Sequence, residues 1–221
     1  MDPVLDAKPP RRRPGRPRQD QPTRAYLARQ EEIIDVAISV FRERGYDSGT
    51  LEDVAATLGN TRANLYHYVP SKAHLLYLIF DRAITTALGT LEAIRSVADP
   101  ERRLRMLIEQ QVRIIAANQE MFLVFFGDRP ALEARYESEI VAKERRYLKI
   151  LIEAIKDAGA AGVIPATDPR LAAQAILGMT TWIHKWYAPQ RDDPEAFAAV
   201  CVDLLLRKRR SPAKIAAGRK R

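Results

Sequence analysis

Apolar residues recur three or four positions apart along most of this chain, the spacing of helices that bury one face. From residue 24 to 44, Ile33, Ile34, Ala37, Val40 and Phe41 form one stripe, and Gly45 closes that helix. Tyr46 to Gly49 then link it to Thr50–Leu76, TLEDVAATLGNTRANLYHYVPSKAHLL, the stretch around which the rest is organised. Thr50 is a good N-cap, with Glu52 and Asp53 in the first turn where the helix dipole favours negative charge. Val54, Ala55 and Leu58 make one apolar edge, and Gly59 ends the helix where a positive φ is cheapest for glycine. Thr61 caps a second short helix anchored by Leu65, and Ser71 caps a third that runs to about Val97.

Three later helices share one start: Asp99-Pro100, Asp168-Pro169 and Asp193-Pro194 each put an acceptor before a proline at N1. The first carries Leu104, Leu107, Ile108, Val112 and Ile115, and the short apolar piece Met121–Phe126 follows. A long helix over about 131–158 points Ile140, Tyr147, Leu148, Leu151 and Ile155 inward, and residues 159–167 are a loop. One helix over 169–188 aligns Leu171, Ala175, Gly178, Met179, Trp182, Ile183 and Trp186. Another over 194–207 aligns Phe197, Val200, Cys201, Leu204 and Leu205. No segment alternates with period two, so the expected class is all-α.

The second short helix leaves Arg62, Asn64, Tyr66, His67 and Tyr68 outside. Such a face fits a DNA major groove: Arg62 matches guanine O6/N7 and Asn64 matches adenine. Tyr66, Tyr68 and Lys72 suit phosphate oxygens, and the caps Thr50, Thr61 and Ser71 sit where backbone N–H groups meet phosphate. The competing reading is an ordinary helical hairpin in a core, but three consecutive rings on an exposed turn bury poorly.

The segment GNTRANLYHYVPSKAHLL resembles the signature of TetR-type one-component transcription regulators. Gly59, Thr61 (for Ser), Leu65, Tyr66, Tyr68, Ser71, Lys72 and Leu75 carry the likeness; Asn60 and Val69 stand where Val and Phe are usual. The resemblance implies about nine helices in an all-α chain: a three-helix helix-turn-helix head and a larger ligand-binding and dimerisation domain. On this sequence that divides into a basic arm (1–22), a head (23–70), a sensor domain (71–207) and a basic tail (208–221). It implies a homodimer joined by the last two helices, where small Ala175 and Gly178 permit close approach, and a small-molecule pocket among the middle helices. The pocket lining is expected from Phe122, Phe125, Phe126, Tyr147, Met179, Trp182 and Trp186. Residues 178–189, GMTTWIHKWYAP, resemble the matching helix of a TetR subgroup that answers to acyl-CoA thioesters and controls fatty-acid or steroid-ring breakdown. Arg146, with Arg113 or Lys185, then becomes a phosphate partner at the pocket mouth. For each aromatic and each base, a core or solvated-surface role competes.

Charge adds a second contact with DNA. Of 36 Lys and Arg, seven lie in 1–24 and eight in 207–221; the remaining 21 face 25 of the 28 acids, so the body is near −4. The positive charge therefore sits in the tails, as for a polyanion partner. Arg13-Pro14-Gly15-Arg16-Pro17-Arg18 resembles an AT-hook core, with Arg13, Arg16 and Arg18 suited to a narrow minor groove. A solvated leader is the alternative.

Other chemistry is thinly represented. The longest uncharged apolar run, Leu171–Ile183, is too short for the ~20 residues of a membrane span, and no secretory leader is expected at the N-terminus. Cys201 alone permits no internal disulfide and fits a reducing cytoplasm. His67, His74 and His184 lack metal-ligand spacing, and no nucleotide loop or catalytic triad is evident, so no cofactor, metal or enzyme activity is expected. The sequence thus points to a dimeric repressor that binds a palindrome on double-stranded DNA and is released by an apolar or acyl-CoA effector. A nucleoid-type protein binding through its tails is the alternative, and a helical carrier or enzyme the third.

Overall fold

The computed structural model describes residues 23–128 and 131–206, all of whose regular structure is helical. The order is α1 (Arg24–Ser48), α2 (Leu51–Thr57), α3 (Arg62–Tyr68), α4 (Lys72–Ile94), α5 (Pro100–Ala117), α6 (Gln119–Gly127), α7 (Ala134–Ala160), α8 (Pro169–Thr181), α9 (Ile183–Trp186) and α10 (Pro194–Leu206). The arm with Arg13, Arg16 and Arg18 and the basic tail lie outside the described residues.

The caps form where the side chains require them. Asp53 N–H donates to Thr50 Oγ1 at 3.1 Å and Thr50 N–H donates to Asp53 Oδ2 at 2.9 Å, a reciprocal capping box for α2. Asp99 and Asp168 accept the Arg102 and Arg170 amides at 2.6 and 2.8 Å, ahead of the prolines that open α5 and α8. Gly45 (φ +75°) breaks α1 near its end, and Gly59 (φ +63°) makes the turn between α2 and α3. There Asn60 N–H reaches back to Ala55 O at 2.9 Å, closing the six-residue bond that ends a helix at glycine.

The two departures from the signature have clear consequences. Val69 is fully buried and packs the end of α3 in place of a larger ring. Asn60 stays near the surface and its Oδ1 accepts Asn64 Nδ2 at 3.3 Å, so the turn is held by an amide pair instead of an aliphatic contact.

Phe41, Leu65, Leu75, Leu76 and Ile79 are sealed where α1, α3 and the start of α4 meet. This core runs without interruption along α4 into the larger bundle, where α5 lies against α4, α7, α8 and α10. Length sets the reach of α4: at ~1.5 Å per residue, Lys72 at its head end and Ile84 in the bundle are ~18 Å apart.

One helix is corrected. The stretch expected as continuous over 169–188 splits at Trp182 into α8 and α9. Its threonines and histidine compete for the ladder's carbonyls: Thr180 and Thr181 hydroxyls donate to Ile176 O and Leu177 O at 2.7 and 2.6 Å, and His184 Nδ1 donates to Thr181 O at 2.6 Å. Among the described residues, no helix is long and apolar enough to cross a membrane.

Candidate DNA-reading helix and ligand cavity

α3 is short, capped and presented outward. Leu65 is its buried anchor, leaving Arg62, Asn64, Tyr66 and His67 exposed. Arg62 Nη2 donates to the Tyr66 hydroxyl at 2.9 Å one turn on, so guanidinium and phenol form one polar ridge. Thr61 Oγ1 accepts Asn64 N–H at 3.4 Å, which leaves the Thr61 hydroxyl proton free to donate to a phosphate.

The remaining members of the predicted set are engaged elsewhere. Tyr68 is half-buried, its ring 4.9 Å from that of Tyr26 and its carbonyl accepting Gln30 Nε2 at 3.3 Å; it braces α3 against α1 instead of standing free. Lys72 Nζ donates to Asp47 O at 3.1 Å and lies 4.3 Å from the Tyr46 ring centroid, tying the start of α4 to the end of α1. The Thr50 hydroxyl donates to Asp53 Oδ2 at 2.7 Å within the capping box.

A cavity of about 520 Å³ lies in the larger bundle, within the size range of small-molecule sites. α4 supplies Ile84 and Ala87, α5 Gln111 and Ile115, α6 its three phenylalanines, α7 Glu144, Tyr147 and Leu148, and α8 Gln174, Leu177, Gly178 and Thr181. Phe122, Phe125, Phe126 and Tyr147 of the predicted lining come together here. Phe126 is 40 % exposed and Gln174 is exposed, whereas Phe122, Phe125, Gln111 and Tyr147 are buried, so the first pair marks the mouth and the second group the interior.

Four predicted ligand residues lie away from this wall. Trp182 is 59 % exposed at the α8–α9 break, and Trp186 packs edge-on against Phe197 of α10 at 5.0 Å. Met179 packs on the core outside the lining. Arg146 is on the outer side of α7, paired with Glu92 at 2.7 Å. Arg113 likewise pairs with Glu195, and its second guanidinium nitrogen lies 2.7 Å from Oε2. Of these, Met179, Arg146 and Arg113 sit on helices that supply the wall but on other faces of them, whereas Trp182 and Trp186 lie beyond the end of α8. Gln111 was missed, although a glutamine between Ile108 and Ile115 on an otherwise apolar stripe is the signal that marks it.

Two features connect cavity and head. α4 carries Ile84 and Ala87 in the cavity wall and Lys72 at the head. α6 carries Phe125 and Phe126 in the wall, and just past its end the Asp128 carboxylate accepts the Tyr46 backbone N–H. Burial, then the nearby Asp47, pushes the Asp128 carboxyl above the usual range.

Comparison with known proteins accounts for both parts. Residues 33–77 match bacterial regulatory proteins of the tetR family, and residues 97–208 match a tetracyclin repressor-like C-terminal domain. The fatty acid metabolism regulator protein of Bacillus subtilis is 24% identical over 182 residues, 79% of this chain and 92% of that protein. The TetR-family regulator PfmR of Thermus thermophilus superposes with a TM-score of 0.75 at 30% identity, covering 79% of this chain and 97% of that one. AibR, solved with isovaleryl coenzyme A and operator DNA, superposes with a TM-score of 0.75 at 27% identity, over 80% of this chain and 98% of that one. The second model alone spans half of the chain, and together the two take in the recognition hairpin and the cavity-bearing bundle: this protein belongs to the tetR family of bacterial regulators.

Proposed function

We propose that this chain is a dimeric transcription repressor that reads a palindromic operator through α3 and leaves it when an apolar, acyl-CoA-type effector enters the cavity. The exposed Arg62–Tyr66 ridge on a capped, two-turn helix carries the reading. Arg62 and Asn64 read base edges; Thr61, Tyr66 and His67 contact phosphates and fix register. Thr50, Tyr68 and Lys72 hold α3 at its angle through the contacts described above. The working division is a head over 23–70 and a sensor over 71–207, acting in the cytoplasm where the operator is. No catalytic step is assigned to any residue.

The effector reading draws on the fatty-acid regulator and on AibR with its coenzyme A thioester, and on a cavity walled by three phenylalanines. Release follows if the effector binds better to the conformer whose two α3 helices are wrongly spaced for successive major grooves. α4 and the contact of Asp128, just past α6, with Tyr46 link the cavity to the head.

The test is retention of genomic duplexes by the full chain at moderate salt, followed by sequencing. A shared palindrome with half-sites about one DNA turn apart supports the repressor, and its neighbouring genes then name the pathway. Retention without a shared motif, with affinity falling steeply in salt, replaces it by the tail-driven architectural reading.

A further inference from the structure

Gln111 and Tyr147 interrupt the apolar wall at the inner end of the cavity. Both also line a small void beyond it, closed by Leu91, Leu107, Leu151, Ile176 and Leu177, so they stand at the partition between the two spaces. Their exposures are only 9 % and 8 %. Neither side chain has a hydrogen-bond partner among the described residues. Neither belongs with the sealed, unpartnered polar groups of the described residues, Arg103 Nε and His184 Nε2, and both side chains line the open cavity. Thr181, also in the wall, differs: its hydroxyl is spent on Leu177 O at 2.6 Å. Burial pushes the Tyr147 phenol well above its ordinary value, so it stays protonated and able to donate.

Buried amides and phenols are normally paired, and few polar groups in an apolar pocket fix which ligand fits and in what orientation. We propose that the Gln111 amide and the Tyr147 hydroxyl together hold a ketone or hydroxyl oxygen on the buried part of the effector. The effector class is therefore an apolar body oxygenated at its inner end, and a plain saturated acyl chain is a poor fit. This rests on the sensor role proposed for the cavity and narrows its ligand. A wall built to bond an oxygen discriminates against the analogue that lacks it far more strongly than an apolar wall discriminates between methylenes.

The test uses the full chain and two matched probe pairs: nonan-2-one with nonane, followed by headspace depletion, and 8-oxononanoyl-CoA with nonanoyl-CoA, followed by calorimetry. The oxygenated member is expected to bind at least ~10-fold more tightly in each pair, a ratio that one good hydrogen bond in a dry site supplies. Tyr147→Phe and Gln111→Leu each bring that ratio close to one, and thermal melts show that both variants remain folded. Equal binding within the pairs, or a preference that survives both substitutions, overturns the proposal. If the ketone is preferred but neither thioester binds, the acyl-CoA reading falls and this one stands. If the thioesters bind equally, the reverse holds, and binding by none of the four probes removes both.

Discussion

Glu52, in the first turn of α2, holds Arg62 at the start of α3, with Oε1 2.6 Å from Nη1. The pair is exposed, so it adds little to stability, but it parks the residue best placed to read guanine. In the base-reading role proposed for Arg62, the guanidinium exchanges that carboxylate for a base edge, and Glu52 remains as a negative charge near phosphate. Glu52→Gln is therefore expected to tighten binding to cognate and random duplexes alike by a few-fold, most clearly at low salt. Arg62→Ala is expected to cost about 1–3 kcal/mol on the selected palindrome and to relax preference at one base pair of each half-site. Fluorescence anisotropy on matched and scrambled duplexes measures both; equal loss on the two by Arg62→Ala removes the base-reading role.

Two glycines of the head predict different failures on substitution by alanine. At Gly49 the backbone is ordinary (φ −69°), but a Cβ would come within 2.9 Å of Phe41 Cδ1 and 3.2 Å of Val40 Cγ1, both in the α1 core. At Gly59 nothing lies within 4 Å, yet φ is +63°. Gly59→Ala should cost ~1–2 kcal/mol of backbone strain, and Gly49→Ala ~1–3 kcal/mol from overpacking. Chemical denaturation reads the sizes. A larger cavity-forming substitution such as Phe41→Leu should partly rescue Gly49→Ala and leave Gly59→Ala unchanged; rescue of both, or of neither, contradicts this division.

What the sequence discloses here follows the range of the physics. Helices α1 to α5, α7 and α10 are legible because their caps and periodic stripes are local: Thr50 with Asp53, Asp99 before Pro100, Gly59 after Leu58; α6 reads only as a short apolar piece because it has no side-chain cap. The break at Trp182 was missed because it depends on three side chains, Thr180, Thr181 and His184, choosing carbonyls that the helix would otherwise use. Exposure along α3 was legible at Arg62, Asn64 and Tyr66 but not at Tyr68, whose fate is decided by Tyr26, 42 residues earlier. The cavity illustrates the same limit. Periodicity identifies the inward face of one helix, yet whether Met179 or Gln174 meets the void depends on the crossing of five helices.

The imidazoles predict a pH dependence. Burial, and next the nearby Arg135, lowers His74 below its ordinary value of 6.5, where Nδ1 lies 3.3 Å from the Tyr136 hydroxyl between α4 and α7. Burial also lowers His184, outweighing the Thr181 carbonyl that favours its charged form. A folded-state value below the unfolded one means that the unfolded chain takes up protons first as pH falls. The neutral imidazoles thus impose no penalty above about 6.5, and stability declines as pH drops below it. The melting temperature should fall between pH 7.5 and 5.5, and the fall should shrink in the His74→Gln, His184→Gln double variant. An unchanged slope would assign the effect to other groups.

The surface left open by one chain predicts how two associate. Leu171 on α8 and Trp182 just past its end are 55 % and 59 % exposed, and Val200 and Leu204 on α10 are 54 % and 69 % exposed. Spacing of four puts Val200 and Leu204 on one face of α10, and Ala175 and Gly178 continue the α8 face between Leu171 and Trp182. Adjacent apolar faces of this kind mark an association surface, and a two-fold partner would cover both at once. Leu204→Glu places a carboxylate where that partner packs, and without a fitting cation its desolvation opposes assembly. Sedimentation velocity is expected to show a monomer with intact helix content, and operator affinity is expected to drop more than ~10-fold because paired half-sites are read by paired helices. Asp203, one residue earlier and also exposed, supplies the control: Asp203→Asn introduces no new charge and should leave the dimer in place. A Leu204→Glu protein that stays dimeric and binds the operator normally would move the interface off α8 and α10.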